Sequence, residues 1–182
     1  MSSSAALPSQ RLVLVPQKLY VPKTKPKDAD TLYPFPPIPF LIRSAPGKVS
    51  SGIPLSTIFA APSEAAAAAH LNQVLVDPSE KVFKDAYRAY LRILWPGYEH
   101  VEFVTSIPLR TSTGRITRAQ LVLFVAKTVK QYFASLAAHT PLPTQAQWAV
   151  APRGKYRTED LVLVALHLAH GNTFQAEFKV PA

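Results

Sequence analysis

Proline crowds the first third of this chain so densely that no long helix can form there. Eleven of the 18 prolines fall within residues 1–62. Each fixes its own φ, removes a backbone donor and pushes the preceding residue toward extended structure. Between Pro34 and Pro39 the sequence reads Pro-Phe-Pro-Pro-Ile-Pro, a polyproline II or extended stretch, and residues 23–30 have the polar, charged composition of a linker. Two apolar pieces interrupt this region. Residues 11–15 suit one edge strand, and residues 35–42 offer Phe35, Ile38, Phe40 and Leu41 as anchors. The expectation is a proline-rich, largely extended or disordered arm over residues 1–50 and a compact domain over 51–182, with residues 33–42 lying on a surface. The Pro-x-x-Pro spacing matches ligands of adaptor grooves. Arg43 is the only basic residue close by, which favours packing against the chain's own domain.

Where the prolines thin out, periodicity takes over. Pro62-Ser63-Glu64 followed by five alanines predicts a helix to about Val74. Asp77, Pro78 and Glu80 predict the start of a second one, with Phe83, Ala86, Tyr87, Tyr90, Leu91 and Leu94 at helical spacing and Trp95-Pro96-Gly97 as its stop. Residues 101–109 alternate as a strand, with Val101, Phe103 and Ile107 in one register. Thr117-Arg118-Ala119-Gln120 is a capping box opening an amphipathic helix over 118–138. Residues 140–157, with three prolines, read as loop. Residues 161–170 suit either a capped helix or a strand. The alternation of Phe174, Ala176, Phe178 and Val180 needs a partner, which favours a hairpin turned at His170-Gly171-Asn172. The fold class expected is α+β: a small mixed sheet, made of the C-terminal hairpin and the 101–109 strand, packed on two or three helices and carrying an extended arm.

The chain has no cysteine, which excludes disulfides, thiolate metal sites and thiol nucleophiles. Its net charge of +9 suggests acidic partners. Residues 1–50 hold seven Lys/Arg against two acids and residues 51–182 hold thirteen against nine, so the domain is only moderately basic. No apolar run approaches the roughly 20 residues that span a bilayer. The N-terminus lacks the pattern of a signal peptide, and cytoplasm or nucleus is the expected location.

Few patterns carry chemistry. His167 and His170 share a face only on a helix, and no acid at ligand spacing completes a metal site. His70, His100 and His139 stand apart in sequence. Six glycines leave no phosphate-cradling loop, and no nucleophile elbow or zinc-protease motif occurs. Arg110, Arg115 and Arg118 surround Gly114 just before a helix N-terminus, whose free amides favour an anion. The competing expectation is a solvated turn with Arg118 paired to an acid such as Glu102. Arg153, Lys155 and Arg157 flank Tyr156, an interleaving of charge and aromatic seen in single-strand binders.

The segments Gly97-Tyr98, Ile107-Pro108-Leu109-Arg110, Gly114 to Leu121 and Gly171-Asn172-Thr173-Phe174-Gln175 together give a resemblance. Over about residues 80–180 the chain resembles a set of uncharacterised, lineage-specific proteins of mushroom-forming (basidiomycete) fungi. The resemblance implies a fungal source and a lineage-specific role, and it carries no activity or site residues.

The function expected from these residues is a non-enzymatic interaction module. It would bind a protein partner, or a second copy of itself, through the arm and the aromatics Tyr33, Phe35 and Phe40. The alternative is a nucleic-acid or anion-binding module using Arg110, Arg115 and Arg118 with Arg153, Lys155 and Arg157. A small enzyme with an acid/base cleft, His100 or His167 beside a carboxylate, stands third. No cofactor and no metal is expected.

Overall fold

The computed structural model describes residues 11–22, 35–84 and 86–182. In chain order its elements are β1 (Leu12–Leu14), β2 (Ile38–Pro39), β3 (Leu41–Ala45), β4 (Lys48–Ser51), β5 (Ile53–Pro54), α1 (Leu55–Phe59) and α2 (Glu64–Val74). Then follow β6 (Tyr90–Arg92), β7 (Val104–Ser106), β8 (Arg110–Thr111), β9 (Gly114–Arg115), α3 (Arg118–Leu136), β10 (Val162–His170) and β11 (Thr173–Pro181). Two short 3₁₀ turns, Pro143–Trp148 and Thr158–Asp160, lie between α3 and β10. No described helix is long and apolar enough to cross a membrane.

The fold is α+β, organised on the C-terminal hairpin. β10 and β11 pair antiparallel, and their neighbours extend the sheet in the order β2-β10-β11-β6-β7, with β5 also on β10 and β1 also on β11. The β11–β6 pair is parallel, so the sheet is mixed. Phe174, Ala176, Phe178 and Val180 are all buried, as the alternation requires. They share one core cluster with Leu121, Val125, Val129, Tyr132 and Leu136 of α3. The α3 start is the capping box expected: Thr117 Oγ1 accepts the Gln120 N–H at 3.2 Å, and Gln120 Oε1 accepts the Thr117 N–H at 2.9 Å.

Three expectations are corrected. Among the described residues no helix starts at Asp77. That residue sits at φ 49°, a left-handed turn conformation that Asp tolerates, and the described residues between it and β6 are irregular. Tyr87 and Tyr90 point to solvent, while Ala89, Leu91, Ile93 and Trp95 are each fully buried. That two-residue period is the signature of a strand, and the helical spacing over the same residues was coincidental. The 101–109 strand, second, shrinks to Val104–Ser106.

Third, described parts of the region read as an arm join the sheet. β1 pairs β11 at Leu12–Leu14, β2 pairs β10, and Phe40 donates its N–H to Val164 O at 2.9 Å. No break falls between residues 50 and 51, because Gly52 N donates to Phe40 O at 2.8 Å. The sheet is consequently seven-stranded rather than small. Phe40 is 0% exposed. Phe35 closes an aromatic cluster with Phe83 and Phe174 at ring separations of 5.6 and 5.2 Å. Neither phenylalanine is an exposed partner contact, and Tyr33 lies outside the described residues.

Candidate functional site

The N-terminus of α3, the place where an anion was expected, is already occupied by the chain itself. Arg118 N donates to Glu80 O at 2.9 Å and Ala119 N donates to Pro78 O at 3.0 Å. With Gln120 N held by Thr117, the first three amides of the helix have partners, so its dipole end presents no free donor cradle. The Arg118 guanidinium is spent as well. It forms an ion pair with Glu80, not Glu102, and donates to Pro39 O.

The other two arginines of that loop turn elsewhere. β8 and β9 form a two-stranded hairpin whose turn is closed by Thr111 Oγ1, which donates to Gly114 O at 3.1 Å. Gly114 takes φ 108°, a conformation that a side chain would strain. Arg110 and Arg115 are direct cross-strand partners in this hairpin, and like charges placed so are mutually repulsive. Arg115 is anchored: its Nη1 donates to Phe83 O at 3.1 Å and Ala86 O at 2.8 Å. Arg110 is exposed.

These contacts shape a cleft at the point where β6 and β7 diverge. The ladder between them runs to the bond from Ile107 N to Ala89 O at 2.8 Å. Beyond it, residues 86–88 and 107–110 separate around a cavity of about 280 Å³. Tyr87 and Arg88 stand on one wall, Ser106, Ile107, Leu109 and Arg110 on the other, and Arg115 completes the lining. Tyr87 is 95% exposed. None of the described lining residues is acidic. Three guanidinium groups with no carboxylate among the described lining residues favour an anion, and their fork geometry suits phosphate or carboxylate. Arg88 and Tyr87 went unnoticed in the sequence because both were assigned to a helix that does not exist.

The second basic cluster does not form a comparable site. Tyr156 is buried and stacks on Trp148 at 5.2 Å, so the aromatic between the charges belongs to the core. Arg153 Nη1 donates to His139 O at 3.3 Å and Thr140 Oγ1 at 3.2 Å. Lys155 Nζ lies 4.9 Å from the Tyr156 ring centroid, and Arg157 is exposed, its N–H bound to Asp160 at 2.8 Å.

The histidines are also redistributed. On strand β10, His167 bonds Glu177 at 2.6 Å. His100 and His139, distant in sequence, bring their rings to 6.1 Å. Among the described residues no three His, Asp or Glu side chains gather as a metal site.

No protein-family model matches this chain, and no curated protein and no solved structure matches it.

Proposed function

We propose that this protein binds a single-stranded nucleic acid, with the cleft between Tyr87-Arg88 and Arg110 as the contact site. The observation that carries the reading is the opposition of Arg110 and Arg115 across β8 and β9, in a cleft that Arg88 also lines and no described acid does. Such a cluster opposes its own folding by self-repulsion, and a bound phosphate relieves it. The nearly fully exposed Tyr87 ring beside it gives a base a surface to stack on. The chain's net charge of +9 adds a long-range attraction for polyanions. The fold supplies the rigid part: Arg115, held by two carbonyls, fixes the cleft, and the exposed Arg88 and Arg110 meet the ligand.

Fluorescence anisotropy with labelled mixed-sequence RNA and DNA oligomers, titrated across salt concentrations, tests this. Two contacted phosphates give a slope of log affinity against log salt of about −1.4, and Arg110→Ala reduces it by about 0.7. Tyr87→Ala weakens binding by about 1–3 kcal/mol. Absence of saturable binding to either polymer at about 50 mM salt overturns the proposal.

A further inference from the structure

We infer, on the premise that the cleft binds a single strand, that the strand runs on from it across the outer face of β6 and β7. Its next two bases take Tyr90 and the Tyr20–Arg92 pair as platforms. The two-residue period of β6 fixes which side chains face outward. Leu91 and Ile93 are fully buried, so Tyr90 and Arg92, which alternate with them, point the other way. β7 repeats the pattern. Tyr90 pairs Ser106 and Arg92 pairs Val104, and both Val104 and Ser106 are exposed. Ser106 also lines the cleft. Tyr90 is its cross-strand neighbour, so cleft and sheet face are continuous at this pair.

Scattered apolar side chains on a surface are ordinary, whereas a contiguous run marks a binding surface. Here Tyr87 on the cleft wall is followed by Tyr90, 37% exposed, and Val104, 50% exposed. Tyr90 and Val104 are diagonal neighbours across the ladder. Tyr20 stands at the far end, its ring centre 4.0 Å from the Arg92 guanidinium carbon. Gln175, the partner of Arg92 on β11, holds that tyrosine in place. It accepts the Tyr20 N–H at 2.5 Å and donates to Lys18 O at 2.9 Å. The four outward residues of β6 and β7 include no acid, and Glu99 at the Tyr20 end faces Lys18 at 3.7 Å. Rings interleaved with guanidinium groups give bases a surface to stack on and phosphates a cation to pair with. The spacing selects single strands. Tyr90 and Arg92, two residues apart on one strand, are about 7 Å from each other. That is twice the roughly 3.4 Å between stacked nucleotides of a duplex strand. Bases on successive platforms are therefore splayed, a conformation that a duplex does not offer.

The test uses the full chain and labelled pyrimidine strands of about eight nucleotides, within the range that one binding face covers. Tyr90→Ala is expected to weaken binding about 5- to 150-fold without changing the salt slope, because it removes a stacking surface and no phosphate contact. Tyr90→Phe keeps the ring and should bind as the native chain does. A phosphorylated dinucleotide fills the cleft alone, so its affinity, followed by NMR shifts, should be the same for Tyr90→Ala and the native chain. If Tyr87→Ala and Arg110→Ala weaken binding of the longer strand and Tyr90→Ala does not, the strand stops at the cleft: the inference is overturned and the cleft reading stands. Equal loss of dinucleotide and longer strand in Tyr90→Ala overturns it too, since the damage would then be to the fold. So does a duplex of the same length that binds as tightly as the single strand. If no single strand binds the native chain, the cleft reading falls and the sheet face falls with it.

Discussion

Tyr132 is buried in the core, where its hydroxyl accepts the Trp95 N–H at 3.3 Å. Burial pushes its ionisation well above the ordinary tyrosine range, because a phenolate there would lose its hydration; the bond from Trp95 opposes the shift only in part. The sign follows from linkage. Below about pH 10 the hydroxyl is neutral in both folded and unfolded chains, and its full contribution to stability is present. Above that, the unfolded chain ionises while the folded one does not, so stability falls as pH rises. Tyr132→Phe should lose about 1–2 kcal/mol near neutral pH, through the orphaned Trp95 N–H, and should flatten part of the alkaline decline. Urea unfolding of both proteins from neutral to alkaline pH measures this; parallel declines would refute it. Single residues also explain where the cationic loop divides. Arg118 closes on Glu80 and Arg115 on two carbonyls, while Arg110 stays exposed.

Helix α3 shows two kinds of capping at one end. The box between Thr117 and Gln120 is local, written in four consecutive residues, and was legible as such. The partners of the Arg118 and Ala119 amides, the carbonyls of Glu80 and Pro78, come from a distant segment that the sequence suggested was helical. Thr117→Ala should cost about 1 kcal/mol, visible as a lower urea midpoint with an unchanged slope. A loss near zero would mean that the Pro78–Glu80 segment alone sustains the helix start. β6 carries the complementary lesson. Its residues fit a helical stripe and a two-residue alternation at once, and periodicity within the segment does not separate them. Pairing with β11 on one side and β7 on the other decides for the strand.

At the scale of the whole molecule, the described proline-rich residues 35–54 are structural rather than appended. Phe40 bonds β10 through its N–H and Gly52 through its carbonyl, and its ring is fully buried. Phe40→Ala should therefore cost about 3–5 kcal/mol, a large share of the roughly 5–15 kcal/mol that holds a domain together. Tryptophan fluorescence and far-UV circular dichroism should follow one shared, shifted unfolding transition. Two separated transitions would show that residues 35–54 unfold apart from the rest, contrary to this account.

Sequence alone determined the elements whose stabilising contacts lie within a few residues of one another: the capped α2 and α3, the alternation of β11, and the class of the fold; it favoured the β10–β11 hairpin, and the pairing decided it. It also raised the expectation that residues 33–42 lie on a surface, and Phe35, Ile38 and Phe40 do pack on the domain. Tertiary structure decided everything that depends on a distant partner. Phe40 is core because β10 receives it, and Phe35 packs against the core on the Phe83–Phe174 pair. The described residues between Pro78 and Arg92 are not helical because the α3 start and β11 bind their backbone groups. The cationic cleft combines Arg88 with Arg110 and Arg115 because β6 and β7 pair and then part. A backbone donor or an arginine finds the nearest acceptor in space, and distance in space is the quantity that a one-dimensional pattern does not contain.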